Sequence, residues 1–453
     1  MGSPNRIIAV NQARRLSTRL VRAALALIMC GAALGTASRT AGAEALLLVE
    51  ADTGKVLHAE NATYPWYPAS VTKLMTAYTA LRAVKDRQAT LDTLLTMSPA
   101  AAAQQPTKMG FPVGTTLTLD NALKMLMVKS ANDVAVAIAE GIGGSVDGFA
   151  DKMNENAARL GMTQSHFVNP NGLPAENHVT SARDLAILAR ALIREFPAED
   201  SLWHISGIRY GKRVMRNYNS LIDRYPGADG MKTGFICASG YNLVASATRN
   251  GKRLIAVVLG AYGGASRAQK AAQLLERGFG SGNLSWLTPS LGTVDALQPI
   301  NASPPDLREE MCGKHRRKPA SEDNDEGEEA NAGGQATGDG ADASQVFSLS
   351  AIRQPPAKYV LAPMTVSGPI IDVYTGSARN PTNNAIPVAV AKKRGKAKHA
   401  KVEAKADAKA DAKPKAKEAA KPAAKSDAKS DTKPASKPAA KPAAKKKKTA
   451  TAQ

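Results

Sequence analysis

Hydrophobic and polar positions along this chain change their period at definable points. Ala45 to Glu50 and Lys55 to Glu60 read as strands, with Asp52-Thr-Gly54 as a glycine turn between them, so the stretch predicts a β-hairpin. Tyr241–Arg249 and Lys252–Gly260 flank Asn250-Gly251, a strong short-range signal for a second hairpin. Between the hairpins the spacing turns helical. Leu74, Tyr78 and Leu81 fall on one face after Ser70; Leu123, Leu126 and Met127 do so before Ser130, and Val134, Ile138 and Ile142 after it. A further helix is expected from about Ser145, with Val146, Phe149, Met153 and Leu160 inward. Ser181 with Asp184 reads as a capping pair for a helix through Leu192, and a last helix covers Ser266 to Gly278.

Strands thus open and close the body while helices fill its middle. The economical arrangement is an α/β (α+β) fold: one antiparallel sheet assembled from both ends, flanked by helices, with a helical subdomain inserted. Residues 44–283 are long enough for one sizeable core. Beyond them, 284–390 reads as linker-like. Glu322 to Ser344 is acidic and glycine-rich, and Tyr359-Val-Leu and Ile370-Ile-Asp-Val-Tyr374 are strand-like but too short to define a domain.

The 453 residues carry a formal charge of +21, and its distribution changes what that charge means. Residues 1–43 hold six Arg and no acid, and residues 391–453 hold 21 Lys plus Arg against six acids, leaving 33 basic and 33 acidic residues between. The body is neutral, which argues against a nucleic-acid-binding core. Arg14 to Arg22 followed by apolar Ala23–Leu34 and then Ala41-Gly42-Ala43 has the layout of a cleaved signal peptide, residues 1–43; an uncleaved membrane anchor is the rival reading. An exported chain follows. The tail 391–453, built of Lys, Ala and Pro repeats, has almost nothing apolar to bury and is expected to be disordered. Its charge suits loose attachment to anionic membrane or wall, or it acts as a solvated spacer. Cys237 and Cys312 could pair in an oxidising compartment or stand as independent thiols. Neither belongs to a metal-ligand spacing, so no metal and no other cofactor is expected.

Three strings carry candidate chemistry: Ser70-Val-Thr-Lys73, Ser130-Ala-Asn132 and Lys232-Thr-Gly234. Each alone is a weak signal; their order and setting carry the weight. A serine hydroxyl needs a proton acceptor to attack a carbonyl. Positions three apart share a helix face, which brings the Lys73 amine to Ser70. Burial and a second cation such as Lys232 would favour the neutral amine that a base requires. Ser70 at a helix start also has a free N–H for an oxyanion. Ser130 and Asn132 could be no more than helix-capping residues; as site residues they would relay a proton to the leaving amine and bind the substrate amide. Lys232 and the Thr233 hydroxyl would hold a carboxylate, while Gly234 lets a peptide lie against a strand edge. Ser70 is placed at the start of a helix, Ser130 in a turn between helices and Lys232 at the start of a strand, converging where sheet and helices meet.

With these strings in that order, residues 44–283 resemble the serine-type D-alanyl-D-alanine carboxypeptidases, the low-molecular-mass penicillin-binding proteins. The resemblance extends through Ala45–Glu60, Phe167-Val-Asn-Pro-Asn-Gly-Leu-Pro174, His178–Asp184 and Gly227–Gly234. It implies a fold like that of β-lactamases and penicillin-binding proteins, Ser70 as the acylated nucleophile, Lys73 as its proton acceptor and Ser130 as a third catalytic member. It further implies Lys232 on the substrate carboxylate and the N–H groups of Ser70 and Phe235 as oxyanion hole. The substrate implied is the D-Ala-D-Ala end of a peptidoglycan stem peptide, with β-lactams as covalent inhibitors. Phe235 stands where relatives often carry a polar-tipped residue. The β-rich C-terminal domain and amphipathic anchor of some relatives are not recognisable after Asn283. Three alternatives stand beside this reading. A DD-endopeptidase cutting crosslinks shares the motifs. A class A β-lactamase would need a Glu-x-x-x-Asn string between Ser130 and Lys232, where none occurs. An inactive wall-binding scaffold would have no need for the catalytic trio.

Overall fold

The computed structural model describes residues 44–280, 290–314, 361–362 and 368–382. The signal-like segment 1–43, the acidic stretch 322–344, Tyr359-Val-Leu361 up to its last residue and the basic tail 391–453 lie outside the described residues.

The main sheet has five antiparallel strands: β1 (Ala45–Glu50), β2 (Val56–Glu60), β7 (Ala228–Ile236), β8 (Gly240–Arg249) and β9 (Lys252–Ala261), in the order β2-β1-β9-β8-β7. The two chain ends of the body meet in it, because β1 pairs with β9 from Ala45–Leu259 to Glu50–Leu254. In β9 every residue from Leu254 to Leu259 is fully buried. Side chains on a strand alternate sides, so an unbroken apolar run means that both faces are covered. The helices Ala182–Glu195 and Gly264–Gly280 supply that cover. Asn250 and Gly251 both have positive φ (51° and 74°), the conformation that a two-residue hairpin turn matching the strand twist requires.

Helices Lys73–Lys85, Leu119–Val128, Asn132–Gly143 and Val146–Leu160 form the insertion between β2 and β7. Leu74, Tyr78, Leu81, Leu123, Leu126, Val134 and Ile138 are all buried, as their spacing requires. Ser145 and Ser181 cap their helices through their hydroxyls, accepting from the N–H groups of Gly148 and Asp184. The expected partner Asp184 does not close a capping box. Its carboxylate is buried and takes the Gln164 N–H, the Ser165 hydroxyl and Arg183 instead.

Three expectations need correction. Ser70 does not open the α-helix; it sits in a 3-10 turn, Ala69–Thr72, and the α-helix starts at Lys73. Pro68 and the positive φ of Ala69 (50°) favour a tighter turn than an α-helical start. Lys232 is in the middle of β7 rather than at its start, because an irregularity at Ala228–Gly230 lets the strand begin four residues earlier. The third concerns 284–390, where part of the linker-like region belongs to the body. Thr293 bridges Lys55, and Cys312 is disulfide-bonded to Cys237. β10 (Ile370–Asp372) pairs in parallel with β5 (Gly207–Tyr210), which also pairs with β6 (Arg213–Arg216). β11 (Thr375–Gly376) joins β4 (Thr116–Thr118), itself paired with β3 (Leu94–Thr96). β10 falls within Ile370-Ile-Asp-Val-Tyr374, which the sequence reads as strand-like, whereas β3, β4 and β11, of two or three residues, are too short to show a period.

Candidate active site

Ser70 is held in place from below and from the side. Asn242 on β8 is fully buried and donates to the carbonyls of Tyr67 (3.0 Å) and Pro68 (3.1 Å), fixing the chain just ahead of the serine. Gly234 on β7 packs directly on the turn: a Cβ there would lie 2.7 Å from the Ser70 nitrogen and 2.8 Å from that of Val71. Only a residue without a side chain allows this approach. The approach also sets β7 beside the Ser70 N–H.

Lys73 is fully buried, and its Nζ is within 2.8 Å of Ser70 Oγ. The same amine donates to Asn132 Oδ1 at 2.8 Å and to the Asn171 carbonyl at 2.7 Å. With two N–H groups committed in this way, the nitrogen's remaining position faces Ser70 Oγ, as a proton acceptor requires. These partners also aim the amine, so a proton can pass between Ser70 and Lys73 without side-chain rearrangement.

Asn132 opens its helix and uses its Nδ2 on the Gln105 carbonyl, 2.9 Å away. Expected to meet a substrate amide, it serves here first as a brace for Lys73. Ser130 is fully buried, adopts a positive φ of 58° in the turn before that helix, and its Oγ has no hydrogen-bond partner among the described residues. Thr233 Oγ1 is in the same condition. Two orphaned hydroxyls in one site are unusual, since buried polar groups are nearly always paired. Groups awaiting a ligand are the natural exception. Lys232 is buried on β7 and donates to the Thr233 carbonyl at 3.0 Å. Phe235 is half-buried, its ring 4.4 Å from that of Tyr241.

Two contributors were not evident from residue types. The first is a backbone atom, the Asn171 carbonyl. Its loop is tied internally, Asn169 Oδ1 accepting from the Gly172 N–H (2.8 Å) and Asn169 Nδ2 donating to the Leu173 carbonyl (2.9 Å). Asn-Pro-Asn-Gly signals a turn, but nothing in it announces which carbonyl the turn presents. The second is His178. Val168 N–H donates to its Nδ1, so its Nε2 carries the proton and donates to Thr72 Oγ1 at 2.9 Å, inside the catalytic turn. Burial lowers its pKa to about 3, with His166 adding repulsion, so the ring is neutral. Asp133, behind Asn132, accepts from the N–H groups of Met109 and Gly110 and anchors the neighbouring loop.

Comparison with known proteins gives the family and the fold. The family described as Peptidase_S11, D-alanyl-D-alanine carboxypeptidase, matches residues 33–263. "D-alanyl-D-alanine carboxypeptidase DacA" of Haemophilus influenzae is 35% identical over 242 residues, 52% of this chain and 62% of the relative. "D-alanyl-D-alanine carboxypeptidase DacB2" of Mycobacterium tuberculosis is 32% identical over 247 residues, covering 52% and 82%. The solved penicillin binding protein 5 of Haemophilus influenzae superposes with a TM-score of 0.51 at 33% identity, over 54% of this chain and 73% of that one. Several curated relatives are thus spanned over only about three-fifths of their length. The antiparallel sheet with its helical insertion is the penicillin-binding-protein fold. A match over half of the sequence, carrying a lysine-paired serine at the seam of that fold, leaves one conclusion: the chain belongs to the D-alanyl-D-alanine carboxypeptidase family, Peptidase_S11.

Proposed function

We propose that this chain is a serine carboxypeptidase that removes the terminal D-alanine from peptidoglycan stem peptides through an ester on Ser70. The contact between Lys73 Nζ and Ser70 Oγ carries the reading. Lys73 takes the Ser70 proton as Oγ attacks the carbonyl of the penultimate D-alanine. The N–H groups of Ser70 and Phe235 receive the oxyanion. Ser130 passes the proton to the departing amine, D-alanine leaves, and water then hydrolyses the acyl-enzyme. Lys232 and the Thr233 hydroxyl hold the terminal carboxylate, and Asn132 holds Lys73 and meets the substrate amide. A β-lactam would acylate Ser70 by the same route.

The chain is further proposed to work outside the cytoplasm, with residues 1–43 as its export signal and the tail 391–453 holding it loosely to anionic wall or membrane. Among the described residues no helix is long and apolar enough to cross a membrane. The test is direct. Labelled penicillin is expected to attach covalently and map to Ser70, and purified protein is expected to release D-alanine from a pentapeptide muropeptide. Ser70→Ala should abolish both with little change in melting temperature. A folded wild-type protein that takes no label and releases no D-alanine overturns the assignment. A crosslinked muropeptide dimer in the same assay separates endopeptidase from carboxypeptidase.

A further inference from the structure

A cavity of about 460 Å³ opens beside the catalytic turn and has no part in the chemistry above. Tyr67, Pro68 and Ala69, the residues just ahead of Ser70, form its inner side, and the Gly172–Val179 loop forms a second. Ile236 and Ala238, just past Phe235, form a third. Pro304 and Arg308 close it. These last two belong to a strap, residues 293–312, which lies beyond the family-matched span ending at residue 263.

The strap is fastened along its length. Val294 N–H donates to the Gly54 carbonyl at 2.8 Å, Arg183 to the Asp295 carbonyl at 3.1 Å, and Gln164 to the Ile300 carbonyl at 3.0 Å. At the cavity, Leu307 N–H donates to the Ala238 carbonyl at 3.0 Å and Cys312 is bonded to Cys237. Both of these last attachments fall on the two residues that follow Ile236. The strap and the end of β7 are therefore locked together where the cavity begins.

The direction of the strand supplies the occupant. β7 is an edge strand of the main sheet and runs from Ala228 to Ile236 past Ser70. A peptide added antiparallel to that edge places its C-terminal carboxylate at Lys232–Thr233 and its scissile carbonyl at Ser70. Its preceding residues must then continue past Phe235 towards Ile236 and into the cavity. The lining fits an extended peptide: Leu173, Ile236 and Pro304 are apolar, while Glu176 and Arg308 bring one charge of each sign.

We propose that the strap, pinned by the Cys237–Cys312 disulfide, is the specificity-determining wall at the acyl-side end of the peptide-binding groove. The inference rests on the proposed carboxypeptidase reading and adds a substrate-length preference to it. The test compares two substrates on the full chain: a pentapeptide stem, which reaches the wall, and N-acetyl-D-alanyl-D-alanine, which ends short of it. The double variant Cys237→Ser/Cys312→Ser is expected to lose about tenfold in kcat/KM on the pentapeptide, mainly through KM, while the dipeptide is turned over as before. Wild-type protein reduced with a phosphine and alkylated should behave alike, which guards against a variant that fails to fold. A ratio of the two kcat/KM values that stays constant, whether both hold or both fall, overturns the proposal. Failure of the wild type on both substrates overturns the underlying reading instead.

Discussion

Replacing Gly234 by alanine tests a hard contact between β7 and the turn that carries Ser70. The added Cβ would meet the backbone nitrogens of Ser70 and Val71 at 2.7 and 2.8 Å and the Pro68 carbonyl at 3.2 Å. None of these atoms is the end of a flexible side chain, and Asn242, the cross-strand neighbour of Gly234, also holds the Pro68 carbonyl. Reaching an ordinary contact of 3.4 Å requires the turn and β7 to separate by about 0.7 Å. Overpacking of this kind costs roughly 1–3 kcal/mol, which in a domain of this size lowers the melting temperature by several degrees. Catalysis should suffer more. A misplacement of about 1 Å is worth about a hundredfold in rate, so the second-order rate of acylation by labelled penicillin should fall by about ten- to a hundredfold. Gly263→Ala is the control, since a Cβ there meets nothing within 4 Å. Acylation at the wild-type rate by Gly234→Ala would refute the argument that β7 and the Ser70 turn are in hard contact.

Three further outcomes are expected. Asn132→Ala removes an acceptor from the buried Lys73 amine, a bond worth about 0.5–1.5 kcal/mol, so D-alanine release should fall by about two- to tenfold; an unchanged kcat/KM refutes the bracing role. His178 is neutral in the fold down to a pH of about 3 but titrates near 6.5 once unfolded, so the unfolded chain binds the extra proton and stability is lost as pH falls through that window. His178→Gln should reduce the loss of unfolding free energy between pH 7 and pH 5 by about 2 kcal/mol in urea titrations, and an identical loss in both proteins counts against it. Removing residues 391–453 should leave turnover of a soluble peptide intact while lowering retention on wall and membrane fractions; equal retention assigns the tail a spacer role.

Much of this architecture can be read from the residues, for physical reasons that also mark where reading stops. The hairpin around Asn250-Gly251 is legible because few residue pairs accept two positive φ angles in succession. The helix Val146–Leu160 is legible because it buries one face, through Phe149, Ala150, Met153 and Ala157, whereas residues 73–81, 132–139 and 182–192 are buried all round. Lys232 looks like the start of a strand because Gly227, Asp229 and Gly230 resemble a loop, yet Asp229 and Gly230 lie in the irregular first part of β7. Of the site, side chains with distinctive chemistry announce themselves, as Ser70 and Lys73 do. The Asn171 carbonyl does not, since every residue has one. Nor does the partnership of Thr72 with His178, which depends on a contact across 106 residues. Whether Cys237 and Cys312 pair was equally open, because it turns on a Cα separation of 5.6 Å that only the folded strap creates.

The pairing of β1 with β9 has a consequence for how the protein comes into being. Synthesis delivers Ala45 early and Leu259 more than two hundred residues later, yet these two are neighbours in the middle of the sheet. Until the last hairpin arrives, β1 and β2 are a two-stranded ribbon with an open apolar edge, too small to be stable alone. Contacts this distant along the chain make assembly slow and postpone it until nearly the whole body is present. Ser70 shares that delay, because the turn carrying it has no floor before Asn242 and Gly234 arrive. On the proposed reading the polypeptide is therefore inert throughout its elongation, and its reactive centre comes into existence in the same event that closes the sheet.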